Sequence, residues 1–346
     1  MAADDQVPPF TLDAPRYDQS TYFGRWQQFA ELVSPKWLLL TPTQVTDAAK
    51  TLEDVRSGAI VPGAKSDTEL WEIRQAYESA VHSQTGEPIP VLFRMAAFVP
   101  VNIPICAGML LAPSTLGHTI FWQWLNQSYN AGFNYANRNA SNEQSNATVL
   151  KAYATASIVS CGTAVGLGRA VQNAKSLSPG ARSLLGKMVP FIAVATAGAF
   201  NVVSMRFNEA IPASGSILLR SSSNDSDGID VLDQDGEVRG RSVAAGRQSL
   251  TQVALTRVAL PVPILLLPPY LYEGMKKVGI MPTRKYPRLA AELIVLTMCL
   301  WGALPGAVAL FPQIGSIPAT DLEPEFQGLV DKSGRPIREF TYNKGV

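Results

Sequence analysis

Between Phe121 and Tyr135 the chain runs Phe121-Trp122-Gln123-Trp124-Leu125-Asn126-Gln127-Ser128-Tyr129-Asn130 and on through Phe133-Asn134-Tyr135, with no acidic or basic side chain. On a helix Gln123, Asn126 or Gln127, Asn130 and Asn134 fall on one face. That face is a column of neutral donors and acceptors, chemistry that holds a zwitterion without adding net charge. A second reading stays open: an interfacial helix whose amides meet water and whose Trp and Tyr rings sit at headgroup depth.

Arg257 lies inside an apolar run. At the centre of a bilayer it would cost about 2.5–3.5 kcal/mol on insertion scales, so it either snorkels to an interface or faces other helices and offers its guanidinium to a carboxylate. Pro261, Pro263, Pro268 and Pro269 follow, removing backbone donors and predicting a broken helix of the kind that lines transport cavities. Asn102, between Pro100 and Pro104, and Asn201 are further polar residues in apolar surroundings, each able to contact a solute or to hydrogen-bond across helices.

Positioning these residues falls to long apolar elements. Of 346 residues 16% are charged and 47% hydrophobic, against about 25% charged in soluble domains, too little polar surface for a water-covered globule of this length. Spans are expected at 95–113, 152–168, 188–205, 250–272 and 293–311, each close to the roughly 20 residues that cross a bilayer. Gly162 and Gly166, and again Gly302 and Gly306, have the GxxxG spacing of closely packed helices. The fold class that follows is an all-α membrane bundle of about five transmembrane helices, with an amphipathic or re-entrant helix over 121–135.

Residues 1–94 form an aqueous helical extension, with helices expected at Thr43–Arg56 and Asp67–Val81. In the third loop, residues 228–240 alternate about Asp235-Gly236 and predict a small β-hairpin, and 312–346 remain as a tail. Calcium at the hairpin aspartates is disfavoured, because their spacing is not that of an EF-hand. Five crossings put the extension on the same side as two short loops holding Arg169, Lys175, Arg182, Lys187, Lys276, Lys277, Arg284, Lys285 and Arg288. Positive charge marks the cytoplasmic-equivalent side, and the N-terminus is expected there. No basic, apolar start of a signal peptide is visible.

Other functions lose ground on composition. Lys plus Arg total 29 against 28 for Asp plus Glu, which argues against nucleic acid as a partner. Cys106, Cys161 and Cys299 are far apart in apolar stretches, and there are only two histidines, so neither a disulfide framework nor a zinc or histidine-rich metal site is expected. No Walker loop, GxSxG, HExxH or CxxC occurs. A multi-span chain without ATP-site or redox motifs is most economically a carrier rather than an enzyme, with no cofactor and a small solute and the lipid bilayer as its partners.

The ordered stretches Pro15-Arg16-Tyr17-Asp18-Gln19-Ser20-Thr21-Tyr22, Phe121 to Asn137, Val189-Pro190-Phe191, Gly228 to Gly240, Thr251-Gln252-Val253 and Tyr342-Asn343-Lys344-Gly345 resemble the sideroflexins nearly end to end. The resemblance implies five spans in the mitochondrial inner membrane, whose matrix face is where the charge argument puts the N-terminus, and carriage of serine for one-carbon metabolism, with alanine or cysteine as other substrates. Iron or tricarboxylate transport is an older suggestion for the family. A scaffold or assembly factor for respiratory or iron-handling complexes is the rival reading, and homo-oligomers or inner-membrane protein partners are compatible with both. The family's His-Pro-Asp-Thr-Gly motif reads His82-Ser83-Gln84-Thr85-Gly86 here, followed by Glu87. If the family's aspartate acted in transport, Gln84 would put activity in doubt; the plainer reading is a turn set by Thr85-Gly86. An insert over 212–226 lengthens the third loop, a subfamily mark of fungal type.

Overall fold

The structure, a computed structural model, describes residues 7–59, 64–82, 85–113, 115–137, 146–210 and 228–344. Ser83, Gln84 and the 212–226 insert lie outside the described residues. The extension forms α1 (Tyr22–Leu32), α2 (Pro42–Arg56) and α3 (Asp67–Ala80). Thr41 opens α2 with a reciprocal capping box, its hydroxyl accepting from the Gln44 amide while its own amide donates to Gln44 Oε1 at 2.9 Å. Ser66, one residue ahead of the expected start, caps α3 by accepting from the Glu69 amide.

The apolar part comprises α4 (Phe98–Leu111), α5 (Leu116–Ala136), α6 (Asn146–Asn173), α7 (Pro179–Ala210), α8 (Val243–Ala259), α9 (Leu267–Lys277) and α10 (Lys285–Val308). Four helices are long and apolar enough to cross a bilayer: 149–173, 179–204, 243–277 and 285–308. Their outward faces are uncovered and apolar, with Ile158 72% and Met298 70% exposed. An aqueous globule would hide such residues, whereas lipid solvates them. The fifth apolar helix, Met95–Leu111, is shorter.

The expected break at the prolines is instead a π-helical turn, Val262–Leu266, that joins α8 to α9 in one 35-residue span. Pro261 and Pro263 have no N–H to give, and the ladder widens so that the Leu267 amide reaches the Val262 carbonyl. Within the chain the GxxxG pairs make no close packing: among the described residues a Cβ at Gly162, Gly166 or Gly302 would meet nothing within 4 Å, and at Gly306 only the Tyr22 hydroxyl at 3.6 Å. The intimate approach is at Gly108, where a Cβ would lie 2.1 Å from the Trp122 ring and push α4 off α5.

α4 and α5 form a hairpin that returns to its starting end, since Asn137 Nδ2 donates to the Phe93 carbonyl at 2.9 Å. Cys161 of α6 faces the Ile120 carbonyl. From that level α6 continues twelve residues to Asn173 and α5 only four back to Leu116, so the hairpin tip stops about 12 Å short of the end of α6. The extension therefore sits at the end where α10 finishes: Tyr22 Oη donates to the Gly306 carbonyl and Arg25 Nε to the Ala309 carbonyl at 2.9 Å. This corrects the expectation that the extension shares an end with the two short basic loops. Those loops lie at the opposite end, where Lys187 pairs with Glu273. With the Phe121–Tyr135 stretch running back alongside α4, the chain is again at its starting end before α6 begins.

At the same end as α1, the expected hairpin forms as β1 (Ile229–Leu232) and β2 (Val238–Ser242), but the tail completes it. β3 (Ile314–Pro318) and β4 (Glu339–Asn343) give an antiparallel sheet of order β2-β1-β4-β3. Val231, Ile317, Phe340 and Tyr342 bury its inner face. Glu323 ties the sheet to α8, accepting from the Val243 and Ala244 amides at 2.8 and 2.9 Å and from Ser242 Oγ.

Candidate functional site

The amide face of α5 packs against α6. Gln123, Asn126 and Gln127 are buried, and Asn130 and Asn134 are half-buried on the same side. Opposite them Ser160, fully buried, donates to Gln123 Oε1 at 2.9 Å and accepts from Gln127 Nε2 at 3.2 Å. One hydroxyl thus joins two turns of α5 in a neutral relay that uses both its donor and an acceptor lone pair.

Beside this relay are polar atoms with no hydrogen-bond partner among the described residues: Asn126 Nδ2, Trp122 Nε1, Tyr129 Oη and Ser157 Oγ. Trp122, Asn126 and Tyr129 recur at four and three residues along α5, so three unpartnered donors form a stripe on its flank toward α4, where Trp122 lies against Gly108. A buried donor without an acceptor costs about 1–3 kcal/mol. Trp122, Tyr129, Ser157 and Ser160 were not among the residues the sequence singled out. The serines are visible only as polarity in a weak span, because which side of α6 meets α5 depends on the partner helix.

The other candidates lie elsewhere. Asn102 is buried and its amide donates back to the Phe98 carbonyl at 2.8 Å, a bond within its own helix. Asn201 Oδ1, on α7, is buried without a partner among the described residues. Arg257 is half-buried on α8, its stem against Gly198 of α7, and makes no hydrogen bond or ion pair with the α5 amides. The candidate residues thus fall into two neighbourhoods, the neutral seam between α5 and α6 and a cationic one between α7 and α8.

At the family-motif loop the amide of Gly86, whose φ is +69°, donates to the His82 carbonyl at 3.0 Å, and the His82 amide donates to the Glu87 carbonyl at 2.9 Å. Thr85 donates its amide to His82 Nδ1 and accepts from the Glu87 amide at Oγ1. These bonds close a tight turn that needs glycine at its left-handed position. Among the described residues no group of three or more His, Cys, Asp and Glu side chains could hold a metal.

The sequence profile of the family described as Sideroflexins matches residues 11–346. A sideroflexin of Dictyostelium discoideum is 40% identical over 344 residues, covering 99% of each chain. Human Sideroflexin-5 is 38% identical over 340 residues, 98% of this chain and 94% of the relative. Sideroflexin fsf1 of Schizosaccharomyces pombe is 37% identical over 335 residues, 97% of this chain and 98% of the relative. No solved structure matches. With a family match over nearly its whole length and three relatives of that similarity, the chain belongs to the sideroflexin family.

Proposed function

We propose that the protein carries a small neutral amino acid, serine first, across the mitochondrial inner membrane in support of one-carbon metabolism. One observation carries the reading: a buried, uncharged hydrogen-bonding seam of Gln123, Ser160 and Gln127, with the unpartnered Asn126 Nδ2 and Ser157 Oγ beside it. Neutral amides and hydroxyls match the ammonium, carboxylate and hydroxyl of serine without holding a net charge in the membrane. Asn130 and Asn134 extend the column toward the α1 end. Seating the carboxylate falls to the Trp122, Asn126 and Tyr129 donors, since Arg257 lies on another pair of helices.

The nine basic residues of the two short loops support a matrix side for that end of the bundle. The extension, the sheet and the tail then face the intermembrane space, the reverse of the orientation first expected. Purified protein in proteoliposomes should take up labelled serine saturably, with alanine and cysteine competing. Uptake no greater than in empty vesicles would reject the carrier reading, and a stably co-purifying partner without flux would favour the scaffold.

A further inference from the structure

Four cations from four parts of the chain meet where α7 and α8 end against the tail. Arg206 leaves helical geometry (φ −116°, ψ 16°) and turns its guanidinium to Glu209, to Ser249 Oγ at 3.0 Å and to the Lys344 carbonyl at 2.9 Å. Ser249, fully buried, donates to that same carbonyl. The Lys344 ammonium, 4% exposed, donates to the Phe311 carbonyl at 3.1 Å, which leaves two of its three N–H groups unused among the described residues. Arg25, also buried, donates to the Ala309, Gln19 and Ser20 carbonyls and so closes the end of α10. Arg257 spends none of its five donors on any described residue, and it lies two turns along α8 from Ser249.

The charges do not balance. Against Arg25, Arg206, Arg257 and Lys344 stands, among the described residues, Glu209 alone, already bound to Arg206. Burial first, then the charges of Arg25, Arg206 and Arg257, push the Lys344 amine down to about 8. At neutral pH it is still mostly protonated, so the excess positive charge persists in a site largely removed from water.

We propose that this cluster is an oxyanion site, in which a phosphate group, free or in a lipid headgroup, seats between the Lys344 ammonium and the Arg257 guanidinium with Arg206 behind them. Among the described residues three positive charges stand in excess, which suits a multiply charged oxyanion better than a carboxylate, and the guanidinium fork matches its paired oxygens. The site lies beside the end of α10, where Lys344 meets the Phe311 carbonyl, and helix ends of this kind border the headgroup layer in which anionic lipids concentrate. It involves none of the seam residues and stands whether or not serine is carried.

The test is thermal unfolding of the full chain in neutral detergent with inorganic phosphate against chloride at matched ionic strength. A second arm compares nanodiscs of phosphatidylcholine with and without phosphatidylglycerol. The Tm should rise in at least one arm. A rise with phosphate assigns a soluble source, and a rise with phosphatidylglycerol alone assigns the lipid. Lys344→Met and Arg257→Met should each abolish the rise, whereas Lys344→Arg should keep it. The rise should also fade as pH passes through about 8, since an anion favours the protonated amine. Around Lys344 stand Arg25 of α1, Arg206 and Glu209 of α7, Arg257 of α8 and Tyr342 of β4, whose phenol burial pushes above its ordinary value. The arginines do not titrate there, so the fading reports Lys344. No rise in either arm, or a rise undiminished in Lys344→Met, overturns the proposal. Should the Arg257 variant fail to fold, the pH series decides in its place, and a rise that persists unchanged above that pH overturns the proposal equally.

Discussion

Gln123, Gln127 and Ser160 join α5 to the membrane-length α6 with neutral side chains, whereas Arg206, Glu209, Glu323 and Lys344 join helix ends to a sheet with charged ones. The difference follows from where each lies. A charge between α5 and α6 would have to be held in low dielectric, so polarity there comes as amides and hydroxyls. At the sheet end the helices expose orphan N–H and C=O groups, and charged side chains bind them strongly: Glu323 at the start of α8, Arg25 at the end of α10. One neighbourhood is tied by neutral bonds, the other by charge.

The most severe way to break that contrast is Glu209→Gln. Arg206 would keep Ser249 and the Lys344 carbonyl but lose the carboxylate that takes its Nε and Nη2. Removing one partner of a buried ion pair costs about 3 kcal/mol. Denaturant unfolding in detergent should show that loss, with the tail becoming protease-sensitive. A loss under about 1 kcal/mol would mean that the sheet end is not held by charge.

Ser160→Ala comes next. It leaves Gln123 Oε1 and Gln127 Nε2 without their shared hydroxyl, at about 2 kcal/mol for two buried polar atoms. Serine uptake should fall with it, while Ser128→Ala, whose hydroxyl meets Tyr153 nearer the start of α6, should change uptake less. Equal effects of the two substitutions would remove the special standing of the relay.

Glu323 supplies the pH arm. Burial pushes its carboxyl up, but the bonds from Ser242 and from the Ala244 and Val243 amides outweigh it and hold the value below the ordinary 4.5. A depressed carboxyl contributes stability that is fully present above about 4.5 and is lost as pH falls through its lower folded value. The α8–sheet junction should therefore loosen in acid. Glu323→Gln should cost about 1.5 kcal/mol at neutral pH, allowing for partial exposure, and flatten the acid limb seen in hydrogen exchange of Val243 and Ala244.

What the sequence made legible was what a single helix encodes. Charge-free windows located the long spans, the three-to-four recurrence placed Gln123, Asn126 and Gln127 on one buried face, and Asp235-Gly236 marked the hairpin. What it concealed depends on pairing between distant residues. Arg25 reaches Ala309 across 284 positions, and that contact fixes the end at which the extension lies. The tail's alternation, with Phe340 and Tyr342 buried, was a readable strand signal, but its neighbours β1 and β3 could not be deduced from it. The π-helical turn was hidden because prolines announce missing donors without saying whether the ladder breaks or widens.

Gly162 gives the smallest and most discriminating test. Its GxxxG spacing implies a tight helix contact, yet space is open where its Cβ would be, whereas Gly108 is pressed against Trp122. Gly162→Ala should leave folding intact and raise stability by up to about 1 kcal/mol, the gain of alanine over glycine in a helix. Gly108→Ala should instead displace the Trp122 ring, part α4 from α5 and lower stability by about 2 kcal/mol. Unfolding of the two variants side by side checks the sign of each. A destabilised Gly162→Ala would mean that this face of α6 is covered in the membrane, by a second copy or another chain, and the oligomeric state of that variant would show which.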